Sequence, residues 1–168
     1  RMMYGVARMS KNGTGISGDN YTYSGSLPGQ VIMSLSDGMG SGAAADQESR
    51  KVIELLQQLL ETGFSARSAL KMVNTILLLT GVEQHPATLD LCCVDLCSGV
   101  LEAMKMGAVA TFVLSDGQAE ILDAGNLPAG VISQAEPVLL SRKLWDDDRV
   151  IMMTDGVLEA CPGLEKER

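Results

Sequence analysis

Two apolar runs in this chain end on the same short pattern. Val31-Ile32-Met33-Ser34-Leu35-Ser36 runs into Asp37-Gly38, and Val150-Ile151-Met152-Met153-Thr154 runs into Asp155-Gly156. A strand that stops at an Asp-Gly pair delivers a carboxylate to the rim of a sheet, and two such strands can bring two carboxylates together. A third Asp-Gly, Asp116-Gly117, lies between the strand patterns TFVLS and QAEIL with nothing else between them. That spacing is a hairpin signal, because a two-residue turn needs positive φ, so Asp116 is assigned to a turn and not to a site. Asp37 is followed by MGSGAAADQ and a helical pattern, and Asp155 by GVLEACPG, and neither returns as a strand. A further carboxylate, Asp19, sits in the Gly-rich stretch SGDN.

Three carboxylates held together raise one another's pKa values. Hard divalent cations remove that penalty, and Mg²⁺ and Mn²⁺ prefer carboxylate, carbonyl and water oxygens. The backbone carbonyl of Gly38, beside Asp37, is a further oxygen donor. Two such ions would share a water and lower its pKa from about 15.7 towards neutrality. The hydroxide would attack phosphorus in line, with no covalent enzyme intermediate. Other chemistries lack parts. The single histidine, His85, precedes Pro86 in a loop pattern, and neither a G-x-S-x-G nor a P-loop pattern occurs.

The elements that must position these residues follow from periodicity. Residues 4–10 (YGVARMS) read as a strand leading into a Gly-rich loop, and Val31–Ser36 as a short strand. Val52, Leu55, Leu56, Leu59 and Leu60 mark one face of a helix over about 43–61, which Gly63 stops. Ser65 caps a second helix to about Thr80, with the stripe Ala66, Ala69, Leu70, Val73, Ile76 and Leu77. So short a connection predicts antiparallel neighbours. From Ala87 onward the pattern is strands: TLDLCCVDL, apolar on both faces and hence central, then GVLEAMKMG, VATFVLS and QAEILDAG as a run of hairpins. Val138–Leu140 and Val150–Thr154 flank the acidic turn 145–148. Strands, two helices and more strands make an α+β arrangement, helices packed on a mostly antiparallel sheet system.

Composition narrows the class. With 46% apolar residues over 168 positions the chain can bury a core, and its net charge of −8 argues against a nucleic-acid partner. Cys92, Cys93, Cys97 and Cys161 lack the paired spacing of a zinc site and read as buried free thiols in a reducing cytoplasm. The ten methionines read as core filler. No apolar run reaches the roughly 18 residues of a membrane span.

In this order, SGDNY, SLSDGMGSGAAADQES, TLDLCCVDL, KMGAVATF, AGNLPAG and VIMMTDGVLEA resemble the phosphatase domain of the stage II sporulation protein E family, a branch of the metal-dependent type 2C (PPM) serine/threonine protein phosphatases. The resemblance covers essentially the whole chain, read as one domain over 1–168. It implies a β-sandwich of two mostly antiparallel sheets flanked by antiparallel helix pairs, in α-β-β-α layers, with two Mn²⁺ or Mg²⁺ ions at one edge. Asp37 then resembles the residue bridging both ions, Gly38 the carbonyl ligand and Asp155 a ligand of the first ion, with Asp19 acting through water. Many eukaryotic relatives have a Glu before that last residue, where this chain has Gly18. The implied substrate is a phosphoserine or phosphothreonine on a small anti-anti-sigma (STAS-type) protein. The two helices match elements proposed to act as a switch on Asp37-Gly38. The helix pair 43–80, or an open sheet edge, is an expected surface for a homodimer. The domain is expected in the cytoplasm, carried by a longer membrane-anchored protein. The family's further Asp, in a D-D-M-T type motif, does not occur up to Arg168. On that reading the sequence is a piece cut from a longer chain, with an incomplete first metal site, weak metal binding and little activity, or a partner-binding module that does not hydrolyse.

Overall fold

The computed structural model describes residues 2–10, 15–25, 28–40, 42–80 and 86–160. Eight strands and three helices follow in the order β1 (Asp19–Ser24), β2 (Gln30–Asp37), α1 (Ala43–Glu61), α2 (Ala66–Leu79), β3 (Leu89–Asp95), β4 (Val100–Met106), β5 (Thr111–Ser115), β6 (Gln118–Leu122), β7 (Val138–Lys143), β8 (Arg149–Ile151) and α3 (Asp155–Glu159). They form a five-stranded sheet, β1-β2-β3-β4-β7, and a three-stranded sheet, β6-β5-β8. All ladders are antiparallel.

The five-stranded sheet is covered on both faces, because its central strands are apolar at odd and even positions alike. On one face Ile32, Leu89, Leu91, Met104 and Met106 pack against Val52, Leu56 and Leu60 of α1 and Leu70, Val73 and Leu77 of α2. On the other, Cys92, Val94, Leu101 and Ala103 meet Val113 and Leu122 of the second sheet. The α+β class, the doubly covered β3 and both helices therefore stand as the periodicity predicts. Of the implied four layers, three are present among the described residues: helix pair, sheet and sheet. A second helix pair is not among them, and after β8 comes only the short α3.

The helix boundaries have local causes. Gly63 closes α1, its N–H bonding Leu60 O at 3.0 Å while Phe64 N–H reaches Leu59 O at 3.1 Å. At the start of α2 the Ser65 hydroxyl accepts from Ser68 N–H. Ser65→Ala is expected to lower stability by about 0.5–2 kcal/mol, a drop of a few degrees in a thermal melt, without touching the site described below. The β5–β6 turn is Asp116-Gly117, at φ 49° and 76°, so Asp116 serves a turn as expected.

Four expectations change. Residues 4–10 are not a strand: residues 2–10 have no ladder partner, and Arg8 tethers them, donating to Ser17 O and the Asp46 carboxylate. The strand at this end is β1 instead. Its DNYTYS sequence lacks an apolar alternation because Tyr21 and its neighbours are only partly covered. β7 and β8 do not pair around the acidic turn. β7 joins β4 and β8 joins β5, so that turn crosses between sheets. Cys92 is buried, but Cys93 is only partly so and Cys97 is exposed, because it lies in the turn between β3 and β4; Cys161 and His85 lie outside the described residues. Of the methionines only Met104 and Met106 are core, both on β4, whereas Met3, Met9, Met39 and Met72 are exposed.

Candidate metal centre

Register puts the acidic residues at one end of the sandwich. Asp19 opens β1 and Asp37 closes β2, and the two are directly paired, so their side chains share a face. Leu35 pairs with Asp90, which places Asp37 and Asp90 on that face too, the one turned to the second sheet. Asp155 arrives from the other sheet. β8 ends at Ile151, and Asp155 is the first residue of α3, preceded by Thr154 at the N-cap position. Asp37, Thr88, Asp90, Gly107, Val109 and Asp155 line one small cleft between the sheets.

Asp37 is the electrostatic centre. Its carboxyl is pushed up to about 7, first by burial, then by the charge of Asp19, then by a hydrogen bond and the charge of Asp155. The structure thus brings the three sequence-predicted carboxylates together. Ser17 orients Asp19, its hydroxyl donating to Oδ2 at 2.8 Å. Thr88 holds the backbone of Asp37 from both sides: Asp37 N–H donates to Thr88 Oγ1 at 2.9 Å, and Thr88 N–H donates to Asp37 O at 3.0 Å. Among the described residues no group of three or more His, Cys, Asp or Glu side chains is disposed to hold a metal ion.

Gly38 continues the chain beneath α1. Its N–H donates to Gly18 O, and a Cβ at Gly38 would overlap the carbonyl of Ala45 in the first turn of α1. A Cβ at Gly18 would stand 3.1 Å from Ala45 Cβ and 3.6 Å from Asp37 Oδ1. The two glycines therefore let the helix start on top of the acidic rim, Gly38 by necessity and Gly18 by sparing a tight contact with Ala45. Asn20 fastens the same turn, its Nδ2 donating to Asp46 O and to Ser49 Oγ. Asp46, held down to about 2 by Arg50 first and then Asn20 and Arg8, keeps its charge at the start of α1.

Sequence reasoning did not single out the cleft floor. Lys105 of β4 is fully buried and donates to Asp90 Oδ2 (2.6 Å), Thr111 Oγ1 (2.7 Å) and Val109 O (2.9 Å). The signal available was one Asp and one Lys inside two otherwise apolar strands. The NLPAG segment supports the wall: Asn126 Nδ2 donates to Lys105 O and Asn126 Oδ1 accepts from Gly107 N–H.

A profile of the family described as Stage II sporulation protein E (SpoIIE) matches residues 28–168. The chain belongs to that family. Stage II sporulation protein E of Priestia megaterium is 36% identical over 161 residues, covering 96% of this chain and 28% of the relative. The chain thus spans under a third of that SpoIIE protein's length. The solved PP2C phosphatase domain of SpoIIE from Bacillus subtilis, with a fragment of its regulatory domain, superposes with a TM-score of 0.84 at 35% identity. It covers 92% of this chain and 45% of the solved one. The two-sheet arrangement is therefore the PP2C fold. RsbX crystallised with magnesium shares the fold at 18% identity and a TM-score of 0.73, covering 88% of this chain and 71% of RsbX.

Proposed function

We propose that this SpoIIE-family chain carries the catalytic centre of a divalent-cation-dependent phosphatase that hydrolyses phosphoserine or phosphothreonine on a protein. The observation that carries the reading is Asp37, a carboxyl held near 7 because Asp19 and Asp155 crowd it. Unfavourable stacked charge of this kind is what a cation relieves. The donor set fits Mn²⁺ or Mg²⁺, being all oxygen. Asp37, Asp155 and the Gly38 carbonyl would hold the ions, with Asp19 acting through water. Mg²⁺ in particular is held by one or two carboxylates and keeps several waters, so it does not require a closed shell of side chains. Two bound ions supply Lewis acidity and an acidified water. The chain's own part is to hold Asp37 rigid through Thr88 and to aim Asp19 through Ser17.

The substrate within this proposal is a phosphorylated anti-anti-sigma (STAS-type) protein. Support comes from the resemblance of the chain's motifs to the SpoIIE family, to which its relatives belong. Self-association, through the helix pair at 43–80 or an edge strand such as the largely exposed β6, belongs to the same proposal. The test is phosphate release from a phosphoserine peptide while Mn²⁺ is titrated, with EDTA as control. Turnover that needs the metal is the expected result. A folded chain that captures the phosphorylated partner yet releases no phosphate at millimolar Mn²⁺ would replace this reading with that of a binding module.

A further inference from the structure

The floor of the cleft holds a buried ion pair that the reading above does not use. Asp90 and Lys105 are directly paired in the β3–β4 ladder, with side-chain exposures of 1% and 0%. Lys105 spends its three N–H donors on Asp90 Oδ2, Thr111 Oγ1 and Val109 O. Thr111 Oγ1 also bonds Asp90 Oδ2, at 2.7 Å. That oxygen is therefore saturated, and the geometry of the carboxylate is fixed. Its other oxygen, Oδ1, is buried and has no hydrogen-bond partner.

A buried carboxylate oxygen with no donor is costly unless something supplies one. A purely structural ion pair has no need to leave one carboxylate oxygen without a donor. Asp90 lines the cleft beside Asp37 and Asp155. A phosphate group cannot satisfy Oδ1, being an acceptor of the same sign. A hydrated cation can, because its waters are strong donors and Mg²⁺ sheds them reluctantly. Outer-sphere acceptors of this kind orient a metal's ligands.

We propose that Asp90 is an outer-sphere acceptor for the hydrated cation of the cleft: Oδ1 takes a hydrogen bond from the ion's water shell, while Lys105 and Thr111 hold the carboxylate in position. This rests on the cation-binding reading given above. Lys105 is then the fixed countercharge that lets an extra carboxylate sit under an acidic site without adding to its net charge. The Lys105–Val109 bond ties the β4–β5 loop to the same assembly.

The test is direct Mn²⁺ binding, by calorimetry and by the proton relaxivity of Mn²⁺-bound water, with no turnover involved. Asp90→Asn leaves Lys105 buried without its countercharge and is expected to lose stability. The double variant Asp90→Asn/Lys105→Met removes both charges and is expected to regain it. If Asp90 serves the cation, the stable double variant still binds Mn²⁺ about 10–100-fold more weakly than the parent chain, with altered relaxivity. Thr111→Val keeps both charges and loosens the carboxylate, and is expected to weaken Mn²⁺ by about tenfold, the lower end of what one hydrogen bond to a charged group is worth. Parent-like affinity and relaxivity in the double variant, or in Thr111→Val should the double not fold, would overturn the proposal. Asp37→Asn separates the two readings: parent-like Mn²⁺ binding there would remove the cation site itself, and Asp90's role with it.

Discussion

Asp37→Asn is expected to bring Mn²⁺-dependent phosphate release down to the EDTA background and, in the same protein, to raise the melting temperature of the metal-free chain at pH 8. The two effects have one cause. The carboxyl of Asp37 is moved from 3.8 to about 7 by burial, by the charge of Asp19 and by the hydrogen bond and charge of Asp155. Between those values the folded chain keeps a proton that the unfolded chain has lost. The stability of the metal-free protein therefore falls as pH rises from about 4 to about 7, and the penalty stays in full above that. Asp46, lowered to about 2 by Arg50, Asn20 and Arg8, acts in the opposite sense. Its stabilisation is complete above about pH 4 and is lost only as pH falls towards 2. It therefore contributes no slope between pH 5 and 8.

Asp37 is only half-buried, so solvent screening discounts its share to about 1–2 kcal/mol, or roughly 2–8 °C in a chain of this size. An amide at position 37 carries no charge to be repelled, so the gain appears in full at pH 8 and vanishes only below about pH 4, where both states keep the proton. Thermal melts of both proteins in EDTA at the two pH values measure it. Equal melting temperatures at pH 8 would mean that the acidic rim is not electrostatically strained, and the argument for a cation there would lose its main support. A saturating divalent cation should reverse the order, since it stabilises the parent by mass action and has little hold on the variant.

How much of this was legible in the sequence depends on what each residue's signal rests on. Asp37 and Asp155 were visible because a strand, a carboxylate and a glycine lie in one continuous stretch. Asp19 was visible as a candidate, but its strand was not. β1 is a partly covered edge strand, and the polar DNYTYS carries no alternation for periodicity to read. α1 and α2 were legible to within a residue because both bury a full stripe against one sheet face. The floor of the cleft was not legible. Asp90 and Lys105 meet only through the register of β3 on β4, which the turn between Asp95 and Val100 sets, and a one-residue slip would separate them. Thr88 is likewise ordinary in sequence, and it matters because it lies beside the end of β2 in space. β7 and β8 show the same limit from the other side: the two strand patterns that flank the acidic turn belong to different sheets, β7 pairing with β4 and β8 with β5.

The contact of α1 with the acidic rim makes the second large effect. Gly38→Ala is expected to lower stability by about 1–3 kcal/mol, the usual cost of overpacking, and to weaken Mn²⁺ binding with it, because the new methyl overlaps the backbone carbonyl of Ala45 and not a side chain that could rotate away. The helix must lift off β2, and the bonds from Asn20 Nδ2 to Asp46 O and Ser49 Oγ loosen with it. Gly18→Ala probes the same joint differently, since its methyl would meet the Cβ of Ala45 at 3.1 Å. Ala45→Gly removes that Cβ and leaves the carbonyl in place. It should therefore rescue Gly18→Ala but not Gly38→Ala, after allowance for the roughly 0.5–1 kcal/mol that a glycine costs inside a helix. A double-mutant cycle on melting temperature separates the two interaction energies. Equal rescue of both variants would mean that α1 yields at this joint, so that the placement of Asp37 and Gly38 does not depend on where the helix begins. Rescue of Gly18→Ala alone would show that the helix backbone itself sets the position of the residues that meet the ion.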